Sequence, residues 1–164
     1  VGQYDFPKFN SIMEMCSGPG FMGYFLARKY HVKDIHLVDN YPPCYESIKK
    51  TNYENNLDAK FYLSDTFDNY DGPKVDFICS NPPHLEIKPD SLKENVDYDP
   101  RIWIDKDWHF HKKFFKDLHK YLKVGGHLLE HIKEWSMGEN GVYSVLFKYH
   151  DKEFINVEKD TYLI

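Results

Sequence analysis

The sequence predicts an α/β domain built on a mostly parallel β-sheet with helices on both faces. Three observations carry this expectation. Short apolar runs alternate with segments of helical periodicity along the chain. A Gly/Pro cluster, Gly18-Pro19-Gly20, closes the first apolar run and opens a helical stretch. The apolar run VDFICS stops at Asn81-Pro82-Pro83, where each proline biases its predecessor toward an extended backbone.

Taken in order, residues 11–16 (SIMEMC) read as the first strand and 21–30 (FMGYFLARKY) as the first helix. A short buried strand follows at 34–38 (DIHLV), then a polar helix at 43–56 and a strand at 60–64 (KFYLS). Asp71-Gly72-Pro73 is a turn into the strand 75–80. An irregular stretch covers 84–106, long enough to serve as a lid or binding segment, with Tyr98, Pro100, Arg101 and Trp103 as candidates for touching a substrate. Helix 107–122 comes next, with Gly125-Gly126 as its stop, then strand 127–132, helix 138–149 and a last strand in 153–158. Trp103, Trp108, Phe110, Phe114 and Phe115 read as packing residues.

Composition narrows the partners. The 164 residues suit one domain, 1–164, and a 41% apolar, 17% aromatic content is too high for disorder. Mean hydropathy is -0.65 and no 18-residue apolar run exists, which excludes a spanning helix and any membrane role built on one. Twenty-one Lys+Arg against 26 Asp+Glu give a formal charge of -5, against the basic excess of proteins that grip a duplex alone. Lys112, Lys113, Lys116, Lys120 and Lys123 form the best basic patch, and their spacing fits one solvated helix face. Cys16, Cys44 and Cys79 are odd in number and lack CxxC spacing, and the N-terminus has no signal-peptide pattern, so a cytoplasmic, reducing location is expected. The lack of an initiating Met points to a trimmed or minimal form of the domain.

In an open α/β sheet, ligands bind beyond the carboxyl ends of the strands. Gly18, Gly20 and Gly23 satisfy GxGxxG after the first strand, and Asp39 ends the second, where a carboxylate can accept from two ribose hydroxyls. Those features alone fit a nicotinamide dinucleotide equally well, or a tight turn with no ligand. Glu14, inside the strand that leads to the loop, favours an ammonium over a pyrophosphate. An adenosine ligand with an α-amino group and no phosphate is S-adenosylmethionine. Asp65 in LSDTF can then accept from the adenine amine, or simply make an Asx turn before Thr66. Asn81-Pro82-Pro83-His84 is the sharpest signal: the Asn81 side-chain carbonyl and the Pro82 carbonyl are two stiffly held acceptors, which is what a planar NH₂ needs. If both accept, the nitrogen lone pair leaves conjugation and faces the sulfonium methyl, while the His84 ring can stack on the flat target.

EMCSGPG, LVDN, SDTF and SNPPH, in this order, resemble the motifs of class I S-adenosylmethionine-dependent methyltransferases, in particular the amino-methylating group with an NPP(Y/F/W)-type tetrapeptide. The likeness runs from about Ile12 to Lys133, and the segment DYDPRIWIDKDWHFHKKFFKDLHKYLKVGGHLLEHI looks like the HemK-like protein glutamine N5-methyltransferases. The resemblance implies a Rossmann-like sheet with an antiparallel last strand, seven strands in all, and S-adenosyl-L-methionine as cofactor. It implies Glu14, Cys16, Gly18 and Gly20 at the cofactor loop, Asp39 and Asn40 at the ribose, Asp65 and Thr66 near the adenine, and Asn81, Pro82, Pro83 and His84 at the target nitrogen, with Asn81 counted among the cofactor-binding residues too. The implied substrate is a protein glutamine; the alternatives are an adenine or guanine amine in RNA or DNA, and a non-catalytic subunit that binds a partner chain.

Two departures from the family pattern bear on the site. Cys16 stands where the family most often has a glycine, tolerable if that residue avoids φ > 0, and His84 replaces the usual aromatic. Only about ten residues precede the first strand, so substrate recognition is expected from the 84–106 stretch, a partner chain or further sequence. The nine histidines do not form a metal pattern: His109 and His111 face apart on a helix, and His127 and His131 lack a third ligand of obvious spacing.

Overall fold

The computed structural model describes residues 6, 8–85, 102–131, 155–158 and 161–163. Tyr98, Pro100, Arg101 and the expected helix 138–149 lie outside the described residues. Ten elements and one 3-10 turn are defined: β1 (Ser11–Met15), α1 (Phe21–Tyr30), β2 (Asp34–Asp39), α2 (Cys44–Asn55), β3 (Lys60–Leu63), β4 (Val75–Ser80), a turn at Lys106–Trp108, α3 (His109–Tyr121), β5 (Leu122–His131), β6 (Ile155–Glu158) and β7 (Thr161–Leu163). They build one seven-stranded sheet in the order β3-β2-β1-β4-β5-β7-β6.

β1 is buried at all five positions because it lies between two parallel neighbours, with Glu14 opposite Leu37 on β2 and Cys79 on β4. From β3 across to β5 every pairing is parallel, the Rossmann-like arrangement expected from alternating strands and helices. β7 pairs antiparallel with both β5 and β6. The chain order reverses about β1 and β4, so the loops after β1 and β4 leave the same edge of the sheet at its switch point.

Two apolar clusters flank the sheet. One joins Leu26 and Ala27 of α1 and Ile48 of α2 to Ile12, Leu37, Phe77 and Leu129. The other packs Phe114 and Phe115 of α3 with Trp108 and Phe67 onto Met13, Met15, Ile78 and Leu128. The split follows strand alternation: Ile12 faces one side and Met13 the other. Of the aromatics expected to pack, Trp108, Phe114 and Phe115 are core, whereas Trp103 is 49% exposed.

β5 departs from the expected strand 127–132. It begins at Leu122, whose extended backbone (φ -92, ψ 133) ends α3, and it runs through Gly125-Gly126. Pairing shifts from Val75–Leu122 to Phe77–His127, so one residue of β4 between them is matched by four of β5. The two glycines make this bulge: Gly125 has φ +77, and a Cβ on Gly126 would sit 2.8 Å from the Asp76 carbonyl.

Candidate functional site

The loop after β1 turns through three left-handed residues, Cys16 (φ 55), Gly18 (φ 50) and Gly20 (φ 87). Cys16 therefore does not meet the condition under which a side chain is tolerated there without strain, and its positive φ costs about 1–2 kcal/mol for a residue with a Cβ. The loop is held by the Ser17 amide on the Val38 carbonyl (3.0 Å) and the Gly20 amide on the Ser17 carbonyl (2.8 Å). The third glycine of the motif serves packing: a Cβ on Gly23 would lie 2.9 Å from Glu14 Oε2 and 3.0 Å from Leu37 Cδ2.

Glu14 is 4% exposed and points under the loop, where it accepts the Gly23 amide (2.7 Å) and the Met22 amide (3.3 Å) at the N-terminus of α1. These amides have no partner within the helix, so the carboxyl closes its first turn. Burial raises its pKa to about 8 against the pull of those two bonds. Sequence reasoning assigned Glu14 to a ligand ammonium; the structure places it on the helix end, outside the cavity described next.

A cavity of about 1230 Å³ opens at the switch point. Cys16, Gly18, Asp39, Asn40, Asp65, Thr66, Asn81 and Pro83 line it; among the remaining candidates, Glu14, Gly20, Pro82 and His84 do not. Asp39, at the end of β2, accepts the Gly18 amide (2.7 Å) on one oxygen and the Tyr41 amide (2.8 Å) on the other. Each carboxylate oxygen keeps a second lone pair for a donor in the cavity. Asp65, past β3, accepts Lys113 Nζ at 2.9 Å, and Lys113 also reaches Asp68 at 2.5 Å, so α3 fixes the far wall. The Asx turn weighed for Asp65 is not formed by its side chain; its backbone carbonyl accepts the Thr66 hydroxyl (2.7 Å) and the Asp68 amide (3.3 Å).

Asn81 follows β4, is exposed and opens onto the same cavity. His84 is 7% exposed, with its ring edge-on to His131 (5.2 Å between centroids, 67° between planes) and its Nε2 3.1 Å from Asn81 Oδ1. It is therefore behind Asn81 and is not a stacking face of the cavity. Sequence reasoning missed three lining groups. Phe110 faces the cavity and stacks on Phe114 at 5.5 Å. Lys113 braces Asp65, and its spacing with Lys116 and Lys120 gave only a solvated face. Asp105 accepts the Phe110 and His111 amides (2.8 and 3.1 Å) and meets His111 Nδ1 at 2.5 Å, which caps α3 from four residues before its start.

Among the described residues no helix is long and apolar enough to cross a membrane. A family model described as Methyltransferase small domain matches residues 4–95, more than half of the chain. The chain is 27% identical over 133 residues to a ribosomal protein uL3 glutamine methyltransferase of Francisella tularensis, covering 76% of this chain and 42% of that protein. It is 35% identical over 72 residues to a ribosomal RNA small subunit methyltransferase C of Haemophilus influenzae, 44% of this chain and 22% of that protein. The chain thus spans less than half the length of these relatives. Among solved structures, the T. thermophilus 16S rRNA N2 G1207 methyltransferase in complex with AdoMet and guanosine has the same fold, with a TM-score of 0.63 at 17% identity over 93% of this chain and 36% of that one.

Proposed function

Because the chain belongs to the methyltransferase small domain family, we propose that it transfers a methyl group from S-adenosyl-L-methionine to a planar nitrogen, most simply the side-chain amide of a protein glutamine. One observation carries this reading: Asn81, the candidate acceptor for the target nitrogen, opens onto the same cavity as the Cys16–Gly18 loop, Asp39 and Asp65. The cavity exceeds the roughly 300–1,000 Å³ of most small-molecule sites, leaving room for a cofactor and an incoming group. Antiparallel pairing of β7 with β5 supports the class I form of the sheet, with residues 1–164 read as a single domain in trimmed or minimal form.

The donor set fits the cofactor. Asp39, its geometry fixed by two backbone amides, would accept the ribose hydroxyls, with Asn40 beside it. Asp65, braced by Lys113, would accept the adenine amine through its remaining lone pairs, next to Thr66. Cys16, Gly18 and Pro19 would line the amino-acid end; Glu14 and Gly20 act beneath them by shaping the loop. When bound, the cofactor supplies an electrophilic sulfonium methyl. Oδ1 of Asn81, which lines the cavity, would accept one hydrogen of the target NH₂, and the family resemblance implies the Pro82 carbonyl for the other, turning the lone pair out of conjugation toward that methyl. Positioning rather than a general base does the work, and the proton displaced from the methylated nitrogen would pass to solvent.

Asn81→Ala tests this. Its affinity for S-adenosylmethionine by calorimetry should change little, while transfer of labelled methyl to protein in a native lysate falls about 100-fold or more, as for removal of one preorganised polar group. Unchanged transfer overturns the mechanism.

A second reading, an adenine or guanine amine in RNA or DNA, is favoured by one observation. Lys106, Lys112 and Lys116 also line the cavity. RNA carrying the label in the same lysate would select it. Action in the cytoplasm, with a partner chain or further sequence supplying substrate recognition, completes the proposal.

A further inference from the structure

His84 occupies the place where the resembled family carries an aromatic that stacks on the target, yet its ring is buried, off the cavity, and in contact with Asn81 instead. A carbonyl oxygen only accepts, so in the 3.1 Å contact the hydrogen belongs to His84 Nε2, which donates to Asn81 Oδ1. The ring is well anchored. His131 packs against it edge-on, and the following residue, Leu85, is locked to the segment before α3 by a parallel bridge to Ile104. In that bridge the Leu85 amide donates to the Trp103 carbonyl (2.8 Å) and the Asp105 amide donates to the Leu85 carbonyl (2.9 Å). Asn81 by contrast is exposed, and its amide has two ends of nearly equal size and opposite polarity. A half-turn of that amide would present NH₂ to an incoming NH₂, donor against donor.

We propose that His84 is a positioning residue whose Nε2–H holds the Asn81 amide in the orientation that offers its carbonyl to the target nitrogen. This rests on the reading of Asn81 as the acceptor for that nitrogen. One lone pair of Oδ1 is taken by His84 and the other is left for the target, so the histidine replaces a stacking surface with an oriented acceptor. The gain is preorganisation: Asn81 need not select its orientation when the substrate arrives.

Two variants separate the roles. His84→Phe restores the family's ring without a donor, and His84→Gln gives up the ring while placing an amide N–H near the imidazole Nε2. With a short glutamine-containing peptide and, separately, a single-stranded RNA as methyl acceptors, H84F should lose about tenfold in kcat with KM little changed, the worth of one hydrogen bond. H84Q should recover most of that loss. If H84F matches wild type, or loses only through KM, His84 does not position Asn81 and this inference falls alone; if wild type labels neither protein nor RNA in the native lysate, the functional reading falls with it. Long-range ¹H–¹⁵N spectra of the imidazole give a readout free of turnover. A protonated Nε2 whose shift moves in Asn81→Ala is the expected result, and an Nδ1–H tautomer overturns the donor assignment.

Discussion

Glu14, expected at the cofactor loop, is spent in this structure on two backbone amides of α1. Its carboxyl, with a pKa raised to about 8 by burial, keeps a proton in the folded protein at neutral pH that the unfolded chain has already lost. The folded state therefore binds more protons than the unfolded state between about pH 4.5 and 8, and stability falls as pH rises through that window, by at most about 1.4 kcal/mol per pH unit. Glu14→Gln keeps an acceptor oxygen for the Gly23 amide and removes the titration. We expect its denaturation free energy to decline less than that of wild type between about pH 5.5 and 7.5, inside that window; parallel curves would mean that Glu14 is ionised in the fold. The comparison with wild type matters because His36, whose pKa burial lowers, contributes with the opposite sign in the acid part of the range. Asp39 was legible as a polar end of β2, but its second task was not: it holds the Gly18 and Tyr41 amides. Asp39→Ala should thus weaken S-adenosylmethionine binding by well over tenfold in calorimetry, through missing ribose hydrogen bonds and a loosened loop, whereas unaltered affinity removes it from the ribose.

At the scale of elements, the first half of the chain was legible to within a residue or two because strand, turn and helix signals there coincide: SIMEM, then Gly18-Pro19-Gly20, then FMGYFLARKY. Around α3 they conflict. Gly125-Gly126 reads as a helix stop, yet pairing of Leu122 with Val75 ends the helix earlier and turns the glycines into a bulge within β5. The start of α3 was hidden for a different reason. Its capping acid, Asp105, stands before a 3-10 turn with Asp107 and Trp108 in left-handed conformations, so no fixed spacing announces it. Asp105 is 3% exposed and His111 fully buried, so removing the carboxyl leaves two helix amides and an imidazole without their acceptor. Asp105→Ala should cost about 3 kcal/mol in denaturant unfolding, in the range for breaking a buried pair. A loss under about 1 kcal/mol would show that water replaces the carboxylate.

For the whole molecule, the proposed reaction was more legible than its substrate, and the physical reason is where each is encoded. The candidate cofactor and target-nitrogen residues sit at strand ends, whose order along the chain the alternating pattern fixes; recognition of whatever would carry the nitrogen depends on surfaces brought together by folding. The lysines of α3 illustrate this. By spacing they are a solvated helix face, and in three dimensions Lys112, Lys113 and Lys116 join Lys106 along the cavity. Their charge is partly spent inside the molecule, since Lys113 is tied to Asp65 and Asp68, and the chain as a whole carries -5. Such a molecule should hold RNA no more tightly than the usual non-specific range of roughly 10⁻⁴–10⁻⁶ M near physiological salt. Filter binding at several salt concentrations checks this together with the lysines. If they neutralise phosphates of a single strand, Lys106→Glu with Lys116→Glu flattens the slope of log K against log salt by about 0.7 for each phosphate no longer paired. Under the glutamine reading the double variant leaves both the weak binding and its slope nearly where they were. Submicromolar, steeply salt-dependent binding by the wild type would move the assignment from protein to RNA, because the cavity-lining lysines would then outweigh the net charge of -5 where the substrate is proposed to enter.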